Sequence, residues 1–244
     1  RVDAVVVENK DGRTAYTVDA VVDATGDADV FAQAHAACTM GENFLSVWAM
    51  AMTEESIARA HEARDVGKAV VIVTAGSDNA GHGQPVGKPS YDRLSAVTVN
   101  DDILAGRTLL REKLEANDPK QFAYVELAGM PQLRTTRCIE GVKRFCYASE
   151  GVCQEDSIGC AGDWRKAGPS FEVPFAAMYN DTLENVIAAG RTVCCDAEGW
   201  EVARVIPVAA LPAMRRVGRR PCWGRVPYRR WMCRHCSSLL RKTA

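Results

Sequence analysis

No stretch of this 244-residue chain approaches the ~18 consecutive apolar residues of a membrane-spanning helix, so no membrane partner is expected. No secretory leader opens it either: "RVDAVVVENKDGRTAYTVDAVV" already reads as β-structure, and Arg1 is not a methionine, so the start of the gene product is expected upstream. Histidine is scarce, with four residues. No Cys-x-x-Cys pair occurs before residue 233, and the ten cysteines have irregular spacing, which argues against a disulfide framework and for a reduced, cytoplasmic protein. No repeat of 3.6 or 7 residues runs through the body. Acidic residues stop at Glu201, whereas ten of the thirty basic residues lie from Pro212 onward. The net charge of −1 therefore hides an acidic body and a basic tail.

What is present is ordinary globular composition, 47% apolar and 25% charged, in a chain long enough to bury a sizeable core. Residues 3–8 and 15–23 are β-rich runs around Asn9-Lys10-Asp11-Gly12, which predicts a hairpin whose second strand continues to residue 23. Residues 28–37 read as helix. Thr53 followed by Glu54 and Glu55 predicts a capped helix over 53–65. "AVVIVT" (69–74) reads as a buried strand, and the glycine- and proline-rich segment 75–90, with His82, as a long loop. An amphipathic helix is expected over 100–116 with Asn100 or Asp101 as its cap, and strands over 122–129, 171–176 (broken by Pro174) and 184–190.

Two strands end in the same style. "VVDATGDADV" (21–30) runs into Ala24-Thr25-Gly26-Asp27, and "NVIAAGR" (185–191) into Gly190-Arg191. Small residues and glycine at a strand's carboxyl end let a backbone or a ligand come close, and a following helix would turn its free N–H groups toward negative charge there. A tight strand-to-helix turn explains "ATG" equally well. With "DSIGCAGDWRKAGPSFEVPF" (156–175) and "NVIAAGRTVCCDAEGWEVARVIPVAAL" (185–211), the combination resembles the FAD-dependent oxidoreductases of the glutathione-reductase-like, two-dinucleotide-fold superfamily, over most of residues 1–211.

The resemblance implies FAD as cofactor and hydride transfer between a small-molecule substrate and the flavin. It places Thr25, Gly26 and Asp27 beside the FAD phosphate and ribose, Gly190 and Arg191 at the ribityl chain, Asp196 on a hydroxyl of that chain, and Arg204 and Val205 near the flavin ring or pyrophosphate. For Arg204 an ion pair with Glu201 or Asp196 stays open. "MPQLRTTRCIEG" (130–141) matches a family segment in which Arg134 and Arg137 would bind an anionic substrate or steady a reduced flavin; surface charge is the other reading. The fold class implied is α/β, α+β in the residues present: an incomplete FAD-binding Rossmann-like domain plus a substrate domain. Its divisions are 1–37 (hairpin and return strand), 38–183 (substrate or cap domain), 184–211 (closing segment of the FAD domain) and 212–244 (a basic, disordered tail).

The chain departs from the family twice. No Gly-x-Gly-x-x-Gly follows a strand, so the pyrophosphate-binding βαβ unit is missing and the chain reads as a C-terminal fragment. After Leu211 the family continues with a small-residue helix facing the flavin, whereas here "PAMRRVGRRPCWGRVPYRRWMCRHCSSLLRKTA" shows no period. Such text is what GC-rich DNA yields out of frame; back-translated and read two nucleotides later, it permits a small-residue helix and a proline-containing linker in the family's order. The tail is therefore expected to be frame-shifted and the fragment itself inactive. Cys222, Cys233, His235 and Cys236 are then no zinc site, and Trp223, Tyr228 and Trp231 among arginines no nucleic-acid arm. The alternative keeps that arm, on a non-catalytic acidic α/β domain. Cys194-Cys195 reads either as a redox dithiol beside the flavin or, since adjacent cysteines rarely bridge comfortably, as small half-buried residues near a cofactor. No residue stands out as a catalytic base.

Overall fold

The computed structural model describes residues 1–77, 83–128 and 130–217, the last six of these as backbone only. His82 and the tail's cysteines and aromatics lie outside the described residues. Helices and strands are both present, as the mixed α+β reading expects. In chain order the first elements are β1 (Ala4–Asn9), β2 (Gly12–Thr17), β3 (Val21–Asp23), α1 (Asp29–Gln33) and β4 (Cys38–Met40). Then come β5 (Ser46–Thr53), α2 (Glu54–Ala63), β6 (Val71–Gly76), α3 (Ala96–Glu115) and β7 (Phe122–Leu127). The chain continues through β8 (Arg137–Ile139), β9 (Ser157–Gly162), β10 (Ser170–Pro174), β11 (Val186–Ala188), α4 (Ala197–Ala203) and α5 (Ile206–Val217).

Two compact units result. Among the described residues, one combines Arg1–Gly41 with residues 137–217; the other is Glu42–Thr136. Residues 137–183, assigned from the sequence to the cap, thus belong with the strands of the first unit.

In the first unit, β1 and β2 form the expected hairpin, with Asn9 opposite Gly12 across Lys10-Asp11. The second strand does not run on to residue 23. It stops at Thr17, and β3 instead pairs in parallel with β11, Val21 opposite Val186 and Asp23 opposite Ala188. Val186, Ile187 and Ala188 are all buried, which is why that short apolar run folds as an inner strand. β4 pairs antiparallel with β8, Met40 opposite Arg137, so the strands that leave and re-enter this unit are neighbours. β9 and β10 are antiparallel, with an irregularity between Glu172 and Pro174, and a 3₁₀ turn at Phe175–Ala177 follows the proline. The core gathers Phe31, Ile139, Phe145, Phe171, Ile187 and Trp200, with the Phe145 and Phe171 rings edge to face at 5.8 Å between centroids.

In the second unit β5 is the central strand of a sheet ordered β6-β5-β7, antiparallel throughout. The apolar run expected to be a buried strand is an edge strand, its Ile72 67% exposed. α2 begins as the sequence predicts: Thr53 and Ser56 exchange side-chain and backbone hydrogen bonds at its first turn. α3 begins four residues earlier than expected, because Ser95 and Thr98 form a second such box and cap it in place of Asn100 or Asp101. Leu109 and Leu110 are its most buried apolar side chains, and a β-carbon on Gly106 would stand 3.4 Å from Val47 of β5, in ordinary contact. No helix among the described residues is long and apolar enough to cross a membrane.

Candidate functional site

The two glycine-ended strands named from the sequence meet in the first unit. Parallel pairing puts the carboxyl ends of β3 and β11 side by side, and Ala189 N–H donates to Asp23 C=O at 2.8 Å, extending the pairing toward the turns. Both turns use a left-handed glycine, Gly26 at φ 86° and Gly190 at φ 85°. The two glycines differ in surroundings. A β-carbon on Gly26 would stand 2.9 Å from Arg191 Cζ, whereas one on Gly190 would meet no protein atom within 4 Å. Arg191 thus folds its guanidinium over Gly26, and its Nη2 donates to Asp27 Oδ1 at 3.1 Å. Arg191 Nε is buried and has no hydrogen-bond partner among the described residues.

Arg137, at the start of β8, joins this group from the other side. Its Nε donates to the Asp27 carbonyl at 2.7 Å and its guanidinium pairs with the Asp29 carboxylate. Arg134 falls in the second unit, where its backbone N–H donates to Asn43 Oδ1 at 2.7 Å. Arg137 is thus committed to the loop after β3.

The sequence missed Asp23. It is fully buried at the end of β3. One oxygen accepts from the Thr25 N–H at 3.1 Å and the Thr25 hydroxyl at 2.7 Å; the other accepts from the N–H groups of Val30 and Phe31 at 3.0 and 3.2 Å. Asp29 N–H is in turn taken by Thr25 Oγ1 at 3.0 Å. This corrects the expectation that the helix after "ATG" offers free N–H groups to an anion: α1 has five residues, and its first N–H groups are satisfied by Asp23 and Thr25. The signal was an acid within an otherwise apolar strand, seven residues before a helix residue it caps.

The closing segment is built around α4. Asp196 caps it, accepting from Gly199 N–H, and also accepts from Tyr147 N–H at 3.2 and 3.3 Å. One turn on, buried Trp200 donates its indole N–H to Arg191 C=O at 2.7 Å and fixes the Gly190-Arg191 turn. Arg204 forms the ion pair with Glu201 left open above, and its guanidinium lies 5.8 Å from the Trp164 ring centre. Val205 C=O accepts from Ala209 N–H at 2.9 Å and so begins α5. That helix crosses the boundary placed at 211/212 and continues to Val217, so the first residues of the tail are helical rather than patternless.

Two further clusters lie in the same unit. Asp163 takes the Arg165 guanidinium as a fork, 3.0 Å on each oxygen, and the Tyr147 hydroxyl at 2.8 Å; Arg165 first, then Tyr147, holds its carboxyl well below the usual range. Cys194 and Cys195 are buried and unbridged. Burial, then neighbouring Cys138, pushes the Cys195 thiol well up, which disfavours its thiolate, and burial raises Cys138 to about 11.

No protein-family model, no curated protein and no solved structure matches the chain.

Proposed function

We propose that the chain is part of a flavin-dependent oxidoreductase and that the carboxyl ends of β3 and β11 form one wall of its FAD site. One observation carries this reading. Two strands more than 160 residues apart pair in parallel, and each ends in a left-handed glycine at the same edge. Ligands of open parallel sheets bind off such carboxyl ends. The residues there fit part of a dinucleotide. Gly190 leaves open space, Arg191 keeps a buried N–H without a partner, and Asp27 presents a carboxylate suited to sugar hydroxyls.

In this reading Gly26, Asp27, Gly190 and Arg191 hold the middle of the cofactor, Arg137 fixes the loop that carries Asp27, and Trp200 fixes the turn that carries Arg191. Asp23, Thr25 and Asp196 act through the backbone they cap. Arg204 and Val205 set the start of α5. FAD, when bound, supplies the hydride acceptor for a small-molecule substrate. The pyrophosphate-binding glycine turn comes from a segment outside these 244 residues.

The reading is tested in the nucleotide sequence upstream. It predicts, in frame, a strand, a Gly-x-Gly-x-x-Gly turn and a helix, with an acid about 20 residues further on. Several hundred in-frame nucleotides without that unit would overturn it. The nucleic-acid alternative rests on the basic arm, most of which lies outside the described residues.

A further inference from the structure

A groove of about 420 Å³ lies in the second unit, between one side of α3 and β7. Leu104, Leu110 and Leu114 of the helix and Tyr124 and Leu127 of the strand line it. Three of these apolar side chains remain open to solvent, Leu104 at 65%, Leu114 at 41% and Leu127 at 38%. The lining also holds two cations, Arg107 and Arg111, one helical turn apart, and no acid. Arg107 is steadied by donating to the Ala128 carbonyl at 3.0 Å. Among the described residues Arg111 pairs only with Glu115, at 3.9 Å with both side chains about 70% exposed, a contact worth little in water. Lys88 engages the neighbouring acid, Glu112.

Apolar walls with a purely cationic rim select an amphipathic anion. We infer that this groove binds a single-chain carboxylate, its alkyl tail along Leu104, Leu114 and Leu127 and its carboxylate between Arg107 and Arg111. The volume lies within the range of small-molecule sites and suits a tail of medium length. The Tyr124 ring is part of the wall, and its hydroxyl is buried without a partner among the described residues. Burial raises its pKa, so it stays a neutral donor. This site is independent of the flavin reading, which concerns the other unit.

Dodecanoate, kept below its micelle concentration, is the probe; dodecanol and dodecyltrimethylammonium are the controls, all followed by calorimetry on the purified chain. The expected result is saturable binding of dodecanoate, at least tenfold weaker binding of dodecanol, and none of the cation. Arg107→Gln or Arg111→Gln weakens dodecanoate about fivefold, as loss of one charge-assisted contact predicts. Leu104→Glu abolishes binding, and because Leu104 is largely exposed the variant keeps the circular dichroism of the parent. Four outcomes would overturn the inference: no saturable binding, equal affinity for the alcohol, binding untouched by Leu104→Glu, or a dimer broken by Leu104→Glu in a chain that ignores dodecanoate.

Discussion

Asp23 is the residue on which the candidate site depends most directly. Its carboxylate accepts four hydrogen bonds from Thr25, Val30 and Phe31, with no exposure to water. It ties the end of β3 to the first turn of α1 and so fixes the loop that carries Gly26 and Asp27. Asp23→Ala leaves the N–H groups of Val30 and Phe31 in the protein interior with no acceptor. The expected cost is about 3 kcal/mol, from a lost cap and buried unsatisfied donors together. Urea denaturation of the purified chain measures it; a loss below about 1 kcal/mol would show that water reaches these groups and that the loop is not held from beneath. The sequence displayed the acid plainly in "VVDATG", but reading it as a cap needed the helix to turn back over the strand end. That is a tertiary fact. Arg204 and Asp196 fall on either side of that limit. The sequence offered Glu201 as a partner of Arg204, three residues away, and that pair forms; the contact of Asp196 with Tyr147, 49 residues away, was decided by packing.

At the scale of elements, most local signals are legible in the sequence, the Ser95 cap of α3 excepted, and non-local ones are not. Asp11-Gly12 announces the β1–β2 hairpin, and Thr53 announces α2, because both depend on neighbours in sequence. The three-residue strands β4 and β8 carry no period of their own and exist only because they pair across almost a hundred residues. β6 looked buried from its apolar run, yet the sheet order makes it an edge. The two turns at the ends of β3 and β11 give a sharper test, since their glycines share a φ but not an environment. Gly190→Ala should cost about 1 kcal/mol, the backbone strain alone. Gly26→Ala should cost more, because its methyl also meets the Arg191 guanidinium. In the Arg191→Ala background that excess should vanish, leaving Gly26→Ala near the cost of Gly190→Ala. A double-mutant cycle by urea denaturation measures the coupling. Additive costs would mean that the Arg191 guanidinium is not held over Gly26 but moves aside freely.

At the scale of the molecule, the first unit is one core assembled from both ends of the described chain, with Glu42–Thr136 as a separate compact unit. The chain leaves through β4 and returns through β8, which pair, so the excursion ends where it began. In the flavin reading this first unit supplies the middle of a cofactor site and lacks the glycine turn that would cradle the pyrophosphate. Tight binding rests on a few well-desolvated anchors rather than on contact area. The chain of 244 residues alone is therefore expected to show no saturable FAD binding at micromolar concentration. The most direct measurement is the visible absorbance and flavin content of the same chain expressed with its in-frame upstream segment, beside the chain alone. The account predicts a yellow protein with one FAD per extended chain, and a colourless shorter one. An extended chain that is folded, carries the Gly-x-Gly-x-x-Gly unit and still takes up no flavin would contradict it.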